Sequence, residues 1–196
     1  MNAEAWRQFQ LGIGIAPSGI AGLPDSILRI VNQPPKGMHW PHAVGQQVWV
    51  SLVGLATAYS TVTSIDGQLR PPVVISAGPG ETARPDSNTP LLRPEVTKRL
   101  REILGKNGKF GTARTVNTTF KRRSAGGKTG TGEREGLVSD AVFAAVAPWA
   151  DPQWIVIVSI KGGRAGSLAG LVAGDILNLL PFGNVAGVAP TAPIVR

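Results

Sequence analysis

Two apolar segments late in the chain, joined by a short turn, restrict the fold more than any other feature. Residues 137–149 (LVSDAVFAAVAPW) and 153–162 (QWIVIVSIKG) are rich in β-branched and aromatic side chains, which is typical of strands. The link between them contains Pro and Asp, which favour a turn. Because so short a connection suits antiparallel neighbours, the sequence predicts an antiparallel strand pair here.

Helical patterns surround this strand pair. Residues 93–108 give the clearest one, because Pro94 suits the first helical position and Glu95 suits the positive end of the helix dipole. Further helices are predicted over 46–62 and 167–180. The predicted fold class is therefore α/β of the α+β kind, an antiparallel sheet covered by helices.

The spacing of large apolar residues also predicts which helix faces are buried. In the helix predicted over 93–108 we expect an apolar stripe of Val96, Leu100, Ile103 and Leu104. Gly105 and Gly108 are available as stop signals for this helix. In the last helix the residues expected to face a core are Leu168, Leu171, Val172, Ile176 and Leu179.

Composition limits the classes of partner. The chain has 196 residues, enough for one domain with a core, and a formal net charge of +8. This charge favours acidic partners, namely nucleic acid, anionic lipid or a substrate that bears carboxylates. There is no cysteine, which excludes disulfides and thiolate metal sites. No apolar run reaches the roughly 18 residues of a membrane span.

Residues 124–133 (SAGGKTGTGE) place a lysine and a threonine among glycines. A phosphate-binding loop would need its first glycine at position 122, which is Arg122. Gly130 and Gly132 would also weaken the first turn of the helix that such a loop opens. From these residues alone, the stretch could equally be the flank of a β-hairpin with no chemical role.

The same stretch resembles the Lys-Thr-Gly motif of penicillin-binding proteins and serine β-lactamases. The resemblance extends in order along nearly the whole chain and is closest to the division-type and elongation-type transpeptidases. The other segments that carry it are 9–24 (FQLGIGIAPSGIAGLP), 44–72 (from VGQQVWV to GQLRPP), 91–104 (LLRPEVTKRLREIL), 108–113 (GKFGTA) and 142–160 (VFAAVAPWADPQWIVIVSI).

The resemblance implies an edge strand beside an active-site cleft, with the C-terminal part of the β-lactamase/transpeptidase-like fold around it. Lys128 would supply fixed positive charge, and the hydroxyls of Thr129 and Thr131 would hold the terminal carboxylate of a substrate. Gly130 would let substrate backbone lie against the strand. The backbone N–H of Thr131 would form half of an oxyanion hole. The family cross-links peptidoglycan by acyl transfer from D-Ala-D-Ala stems and is blocked by β-lactams.

The chain departs from the family at its nucleophile. None of its eleven serines is followed three residues later by lysine, so the Ser-x-x-Lys motif is absent, and Ser-x-Asn is absent too. We therefore expect residues 1–180 to be the C-terminal half of a transpeptidase domain, inactive alone, followed by a loose tail over 181–196. No cofactor or metal is expected. Binding of stem peptide or β-lactam would require the missing half.

Several alternatives and partners stay open. The chain could be a non-catalytic relic or interaction module of the same fold, or, as a weaker alternative, a basic nucleic-acid-binding protein. Without N-terminal strands, the strand over 154–160 would expose an edge that invites a protein partner. The family is membrane-anchored and faces the cell wall, but this chain's location stays open.

Two smaller features have plain interpretations. The pair His39 and His42 could bind a metal only with a third ligand, so loop packing is favoured. The run Lys121–Arg123 could touch an acidic partner, although a solvated strand entrance is the commoner role of such a run.

Overall fold

A computed structural model of the chain describes residues 29–30, 48–69, 90–134 and 137–183, together with the helical residues Gln8 and Gly12. The chain divides into two compact units, residues 1–93 and 94–196. The predicted domain over 1–180 and the loose tail over 181–196 stay predictions.

The first unit contains a two-stranded antiparallel pair and a helix. Strand β1 (Arg29–Ile30) pairs with β2 (Val48–Trp49), and helix α1 follows at Leu52–Val62. The hydroxyl of Ser51 accepts a 3.0 Å hydrogen bond from the N–H of Gly54 and so caps the helix. The helix predicted over 46–62 is therefore wrong near its start, because Val48 and Trp49 belong to β2.

Helix α1 buries small and polar residues, Gly54, Thr57, Ala58 and Thr61. The hydroxyl of Thr61 donates to the carbonyl of Thr57 at 2.9 Å, so its burial leaves no unsatisfied donor. Burial raises the pKa of Tyr59 to about 12, because it removes the phenolate from water. The pair Asp66–Gly67 favours a turn, and one forms there: the N–H of Gln68 donates to the carboxylate of Asp66 at 3.1 Å. Gly67 has a φ of 73°, which glycine adopts freely.

The second unit contains a three-stranded antiparallel sheet in the order β3-β4-β5. Its strands are β3 (Gly126–Arg134), β4 (Leu137–Ala147) and β5 (Trp154–Ile160). The register pairs Lys128 with Ala144 and Ala147 with Trp154. The two strands predicted around the Pro/Asp turn are confirmed to within two residues at each end.

Helices pack against this sheet. They are α2 (Pro94–Phe110), a 3₁₀ turn (Thr112–Thr115), α3 (Val116–Thr119) and α4 (Gly166–Leu179). The core between sheet and helices contains side chains that are almost fully buried, among them Val116, Phe120, Phe143, Ala173 and Leu177. The predicted fold class, an antiparallel sheet covered by helices, is confirmed.

The predicted buried faces are wrong in part for α2 and largely wrong for α4. Helix α2 buries Thr97, Arg101, Gly105 and Gly108. Of the expected stripe, Val96 and Ile103 are exposed and Leu100 and Leu104 are half-buried. Gly105 and Gly108 do not stop the helix, because it continues to Phe110. They are contact points instead, since a Cβ at either position would overlap Trp149 or the carbonyl of Ala125, respectively. Close approach, and not apolar burial, decides which side of α2 faces inward.

Helix α4 follows the same rule. Its buried residues are Gly166, Ala169, Gly170, Ala173, Gly174 and Leu177. Of the residues expected to face a core, Leu168, Val172, Ile176 and Leu179 are exposed and Leu171 is half-buried.

The chain after α4 is tied to the sheet over its first residues. The indole N–H of Trp154 donates to the carbonyl of Pro181 at 2.7 Å, and the ring of Phe182 lies 5.6 Å from that of Phe120. Residues 68–78 (QLRPPVVISAG) have the composition of a short edge strand, but most of them, like residues 184–196, lie outside the described residues. No helix in the described part of the chain is long and apolar enough to cross a membrane.

Candidate functional site

The lysine-threonine-glycine stretch lies on an edge strand. Within the described residues, β3 pairs with β4 on one side and has no strand neighbour on the other. On β4, Val142 is the partner of Gly130 and Ala141 is the partner of Thr131. An unpaired edge of this kind presents backbone N–H and C=O groups to another extended chain.

The glycines of β3 have two different roles. A Cβ at Gly126 would lie 2.8 Å from the backbone of Leu104, and one at Gly127 would lie 2.9 Å from the ring of Phe143. Packing therefore requires glycine at both positions. At Gly130 the nearest atom to a Cβ would be 3.5 Å away, an ordinary contact. Packing inside the sheet therefore does not require glycine at position 130. The absence of a side chain at this position leaves room beside the strand edge.

Lys128 is exposed on this strand. Its Nζ donates a 2.6 Å hydrogen bond to the carbonyl of Thr129, so the ammonium group folds back onto the strand that carries it. No carboxylate among the described residues forms an ion pair with it. The positive charge is therefore available beside the edge for an anionic group.

The two threonines of the motif share one face of the strand, because side chains alternate along it. The hydroxyl of Thr129 lies 2.9 Å from that of Thr112, the first residue of the 3₁₀ turn. Thr131 is exposed. The structure thus brings Lys128, Thr129, Gly130 and Thr131 together on one accessible stretch, although Lys128 and Thr129 leave the strand on opposite faces.

Two asparagines fix the start of β3. Asn107 on α2 donates to the carbonyl of Gly127 at 2.7 Å. Asn117 on α3 donates to the carbonyls of Gly108 and Ala125 and accepts from the N–H of Ala125, at 2.8 to 3.1 Å. These bonds hold β3, α2 and α3 in one arrangement, because each gives a backbone group the hydrogen-bond partner that it loses when it leaves water.

Helix α4 supports the middle of the motif from behind. Its first residue, Gly166, lies so close that a Cβ there would be 2.6 Å from the carbonyl oxygen of Gly130. The start of α4 therefore contacts the backbone of the motif on one side, and the other side is open.

Sequence reasoning missed these supporting residues. Asn107, Asn117 and Gly166 carry no pattern that separates them from other polar or small residues. Thr112 lies in the segment GKFGTA, which resembles a turn of the family. This resemblance was the only sequence signal for Thr112.

No group of His, Asp and Glu side chains in the described ranges could hold a metal ion. His39 and His42 lie outside those ranges, so their role as packing residues stays a prediction.

Comparison with known protein families identifies one match. The profile of the penicillin-binding protein transpeptidase domain matches residues 10–178. A comparison with curated protein sequences gave no match.

Solved structures agree with this family. A peptidoglycan glycosyltransferase from Burkholderia ambifaria is similar at 25% identity and a TM-score of 0.64, covering 99% of this chain and 60% of its own. The TP domain of Burkholderia pseudomallei penicillin-binding protein 3 is similar at 24% identity and a TM-score of 0.67, covering 98% of this chain and 60% of its own.

A ceftriaxone acyl-enzyme complex of penicillin-binding protein A from M. tuberculosis is similar in fold, at 19% identity and a TM-score of 0.68, covering 89% of this chain and 42% of its own. The chain thus spans about 60% or less of the length of these three solved structures.

Proposed function

The chain belongs to the penicillin-binding protein transpeptidase family, and from this premise we propose that β3 is the substrate-binding edge of a D,D-transpeptidase site. The family's reaction cross-links peptidoglycan by acyl transfer from a D-Ala-D-Ala stem to an acceptor amine, through a serine acyl-enzyme. The supporting observation is that Lys128, Thr129, Gly130 and Thr131 lie together on an open strand edge. Packing does not require glycine at position 130.

Each residue of the edge has a proposed role. The stem peptide lies along β3 as an added strand, and the absence of a Cβ at Gly130 lets its backbone approach. The hydroxyls of Thr129 and Thr131 donate to the terminal carboxylate of the stem. Lys128 supplies positive charge that favours this anionic end. The backbone N–H of Thr131 donates to the oxyanion that develops at the scissile carbonyl.

The nucleophile of this reaction is not among the 196 residues, because no serine stands in a Ser-x-x-Lys motif. Loss of a catalytic nucleophile lowers the rate by several powers of ten. We therefore propose that the chain is inactive alone and forms a site only with a polypeptide that carries Ser-x-x-Lys and Ser-x-Asn. That polypeptide could be continuous with this chain or separate from it.

The outer edge of β5 is the proposed contact for such a polypeptide. Within the described residues, β5 pairs with β4 and has no strand on its other side. Its partly exposed residues include Ile155 and Ile157. An apolar unpaired edge gains both hydrogen bonds and burial when another strand adds to it.

Covalent labelling with a fluorescent penicillin tests this proposal. The chain alone should give no labelled band. Mixed with the N-terminal remainder of a related transpeptidase domain, which carries both serine motifs, it should produce a label on that remainder. Lys128→Ala should abolish the label, and Lys98→Ala, which removes an exposed lysine on α2, should not.

The outcomes separate the alternatives. A label on the chain alone would refute the need for a complement. A complex that forms without labelling would favour the relic or interaction module of the same fold. Labelling that survives Lys128→Ala would remove Lys128 from the site while leaving the family assignment intact.

A further inference from the structure

A second concave site lies away from the β3 edge. It is a groove of about 590 Å³ between the C-terminal half of α2, the segment around the 3₁₀ turn and α3, and the chain that leads into β3. Among the described residues that line it, none belongs to the 128–131 stretch. It is therefore separate from the surface proposed to bind the stem peptide.

The groove is strongly basic. Four cationic side chains line it, those of Lys106, Lys109, Arg114 and Arg123, against one carboxylate, that of Glu102. Glu102 already pairs with Arg99 at 3.2 Å. None of the four cations forms an ion pair with a described residue. Four like charges around one concavity repel one another, and an anion in the groove relieves that repulsion.

Helix stability accounts for part of this charge but not for all of it. Lys106 and Lys109 lie near the C-terminal end of α2, where the helix dipole favours positive charge. Arg114 and Arg123 come from two other segments, and that dipole gives no reason for them to converge on the same groove.

Arg123 is the most informative of the four. It has a φ of 52°, in the left-handed region that side chains with a Cβ adopt at a cost in free energy. It also ends the basic run Lys121–Arg123, for which the sequence favours a solvated strand entrance. Its neighbour Arg122 stacks over the ring of Phe182 at 4.5 Å. The left-handed turn separates the two guanidinium groups and sends that of Arg123 to the groove.

Aromatic side chains form the apolar part of the groove. The ring of Trp149 lies against α2 at Gly105, where a Cβ would overlap it. Phe110 is 72% exposed, with the ammonium of Lys109 4.9 Å from its ring centroid. A large exposed aromatic ring beside cations suits a ligand that carries both charge and an apolar body.

We propose that this groove binds a phosphate ester, with the phosphate held by Arg114 and Arg123 and the organic part against Trp149 and Phe110. A surplus of three positive charges in the groove matches an anion of two or more negative charges better than a single carboxylate. Guanidinium groups bind phosphate oxygens in bidentate pairs, which favours phosphate over a diffuse anion. The ester could be a soluble molecule or the headgroup of an anionic lipid.

Calorimetric titration of the full chain tests the site with three probes, phenyl phosphate, inorganic pyrophosphate and succinate. We expect the two phosphates to bind more tightly than succinate, and their binding to weaken with added salt. Arg114→Gln and Arg123→Gly should each weaken phosphate binding about tenfold, the value of one charge-assisted contact.

Two controls make the result specific. Arg123→Gly relieves the left-handed backbone, so it should leave the melting temperature unchanged or raised while affinity falls, which a merely structural arginine would not do. The single variants Lys98→Gln and Lys161→Gln each remove one charge, as each groove variant does, at exposed positions outside the groove. Each should change phosphate affinity by less than about twofold.

Vesicle flotation identifies the source of the phosphate. Flotation with phosphatidylcholine vesicles that contain phosphatidylglycerol, lost in Arg114→Gln and absent with phosphatidylcholine alone, indicates a lipid headgroup. Binding of phenyl phosphate without flotation indicates a soluble ester.

The proposal is overturned if neither phosphate nor vesicle binds, or if succinate binds as tightly as phenyl phosphate. It is also overturned if two results occur together. A DNA duplex binds more tightly than pyrophosphate, and the groove variants weaken DNA binding no more than the control variants do. In that case the affinity would belong to the chain's overall charge of +8 and not to the groove.

Discussion

The sheet and helix α4 pack against each other, yet the residues they bury differ in size. Beside several alanines, the sheet buries large side chains, among them Phe143 and Val146 at 0% exposure. Helix α4 buries mainly glycine and alanine and leaves Leu168, Val172, Ile176 and Leu179 on its exposed side. The sheet is therefore held by removal of apolar area from water, and the helix by close contact of its backbone with its neighbours.

This difference has a consequence for the site. Gly166, Gly170 and Gly174 recur every four residues and so form one line along α4. A Cβ on this line would overlap Thr115, Thr119 or the backbone of Gly130. The same line that brings α4 against the 3₁₀ turn and α3 thus supports the β3 edge where the substrate is proposed to bind.

The largest effect should come from the side chain that joins the two kinds of packing. The ring of Phe143 fills the space over Gly127 and over Gly170, where a Cβ would lie 2.9 and 3.0 Å from it. Phe143→Ala removes a fully buried ring and should lower the free energy of unfolding by about 3–5 kcal/mol. Urea unfolding measures this, and a loss below about 1 kcal/mol would show that the sheet does not depend on large-residue burial.

An overpacked helix face should produce the next largest effect. In Gly170→Val the new side chain meets the hydroxyl of Thr115 and the ring of Phe143, so we expect a loss of about 1–3 kcal/mol. Ser167→Val places the same side chain on an exposed position of α4 and should change stability by no more than about 0.5 kcal/mol. Equal effects of the two substitutions would contradict the close-contact account of α4.

The sequence predicts these two regions unequally, for a physical reason. Strands β4 and β5 are predicted well, because β-branched and aromatic residues bounded by turn residues specify a buried strand directly. Pro94 likewise marks the observed start of α2. The buried face of α2 is predicted wrongly in part and that of α4 largely, because the prediction assigns the inward face to the largest apolar residues, whereas a helix in close contact turns its smallest residues inward.

The site divides in the same way. The lysine-threonine-glycine stretch identifies its own edge strand, since its motif and glycines are local. Asn107 and Asn117 hold that strand through bonds to Gly127 and Ala125, and such bonds depend on how distant segments meet. No local pattern in the sequence marks them, so only the structure reveals them.

The finest comparison is between two leucines on opposite sides of α4. Leu177 is 0% exposed and Leu179 is 84% exposed. Leu177→Ala should lower the free energy of unfolding by about 2–5 kcal/mol, because it leaves a cavity in the core. Leu179→Ala removes the same atoms from a side chain already in water and should change it by less than about 0.5 kcal/mol. Urea unfolding of both variants of the isolated chain decides the point. A loss from Leu179→Ala as large as that from Leu177→Ala would mean that the stripe of large residues is buried in solution, and the rule that α4 packs through its small residues would fail.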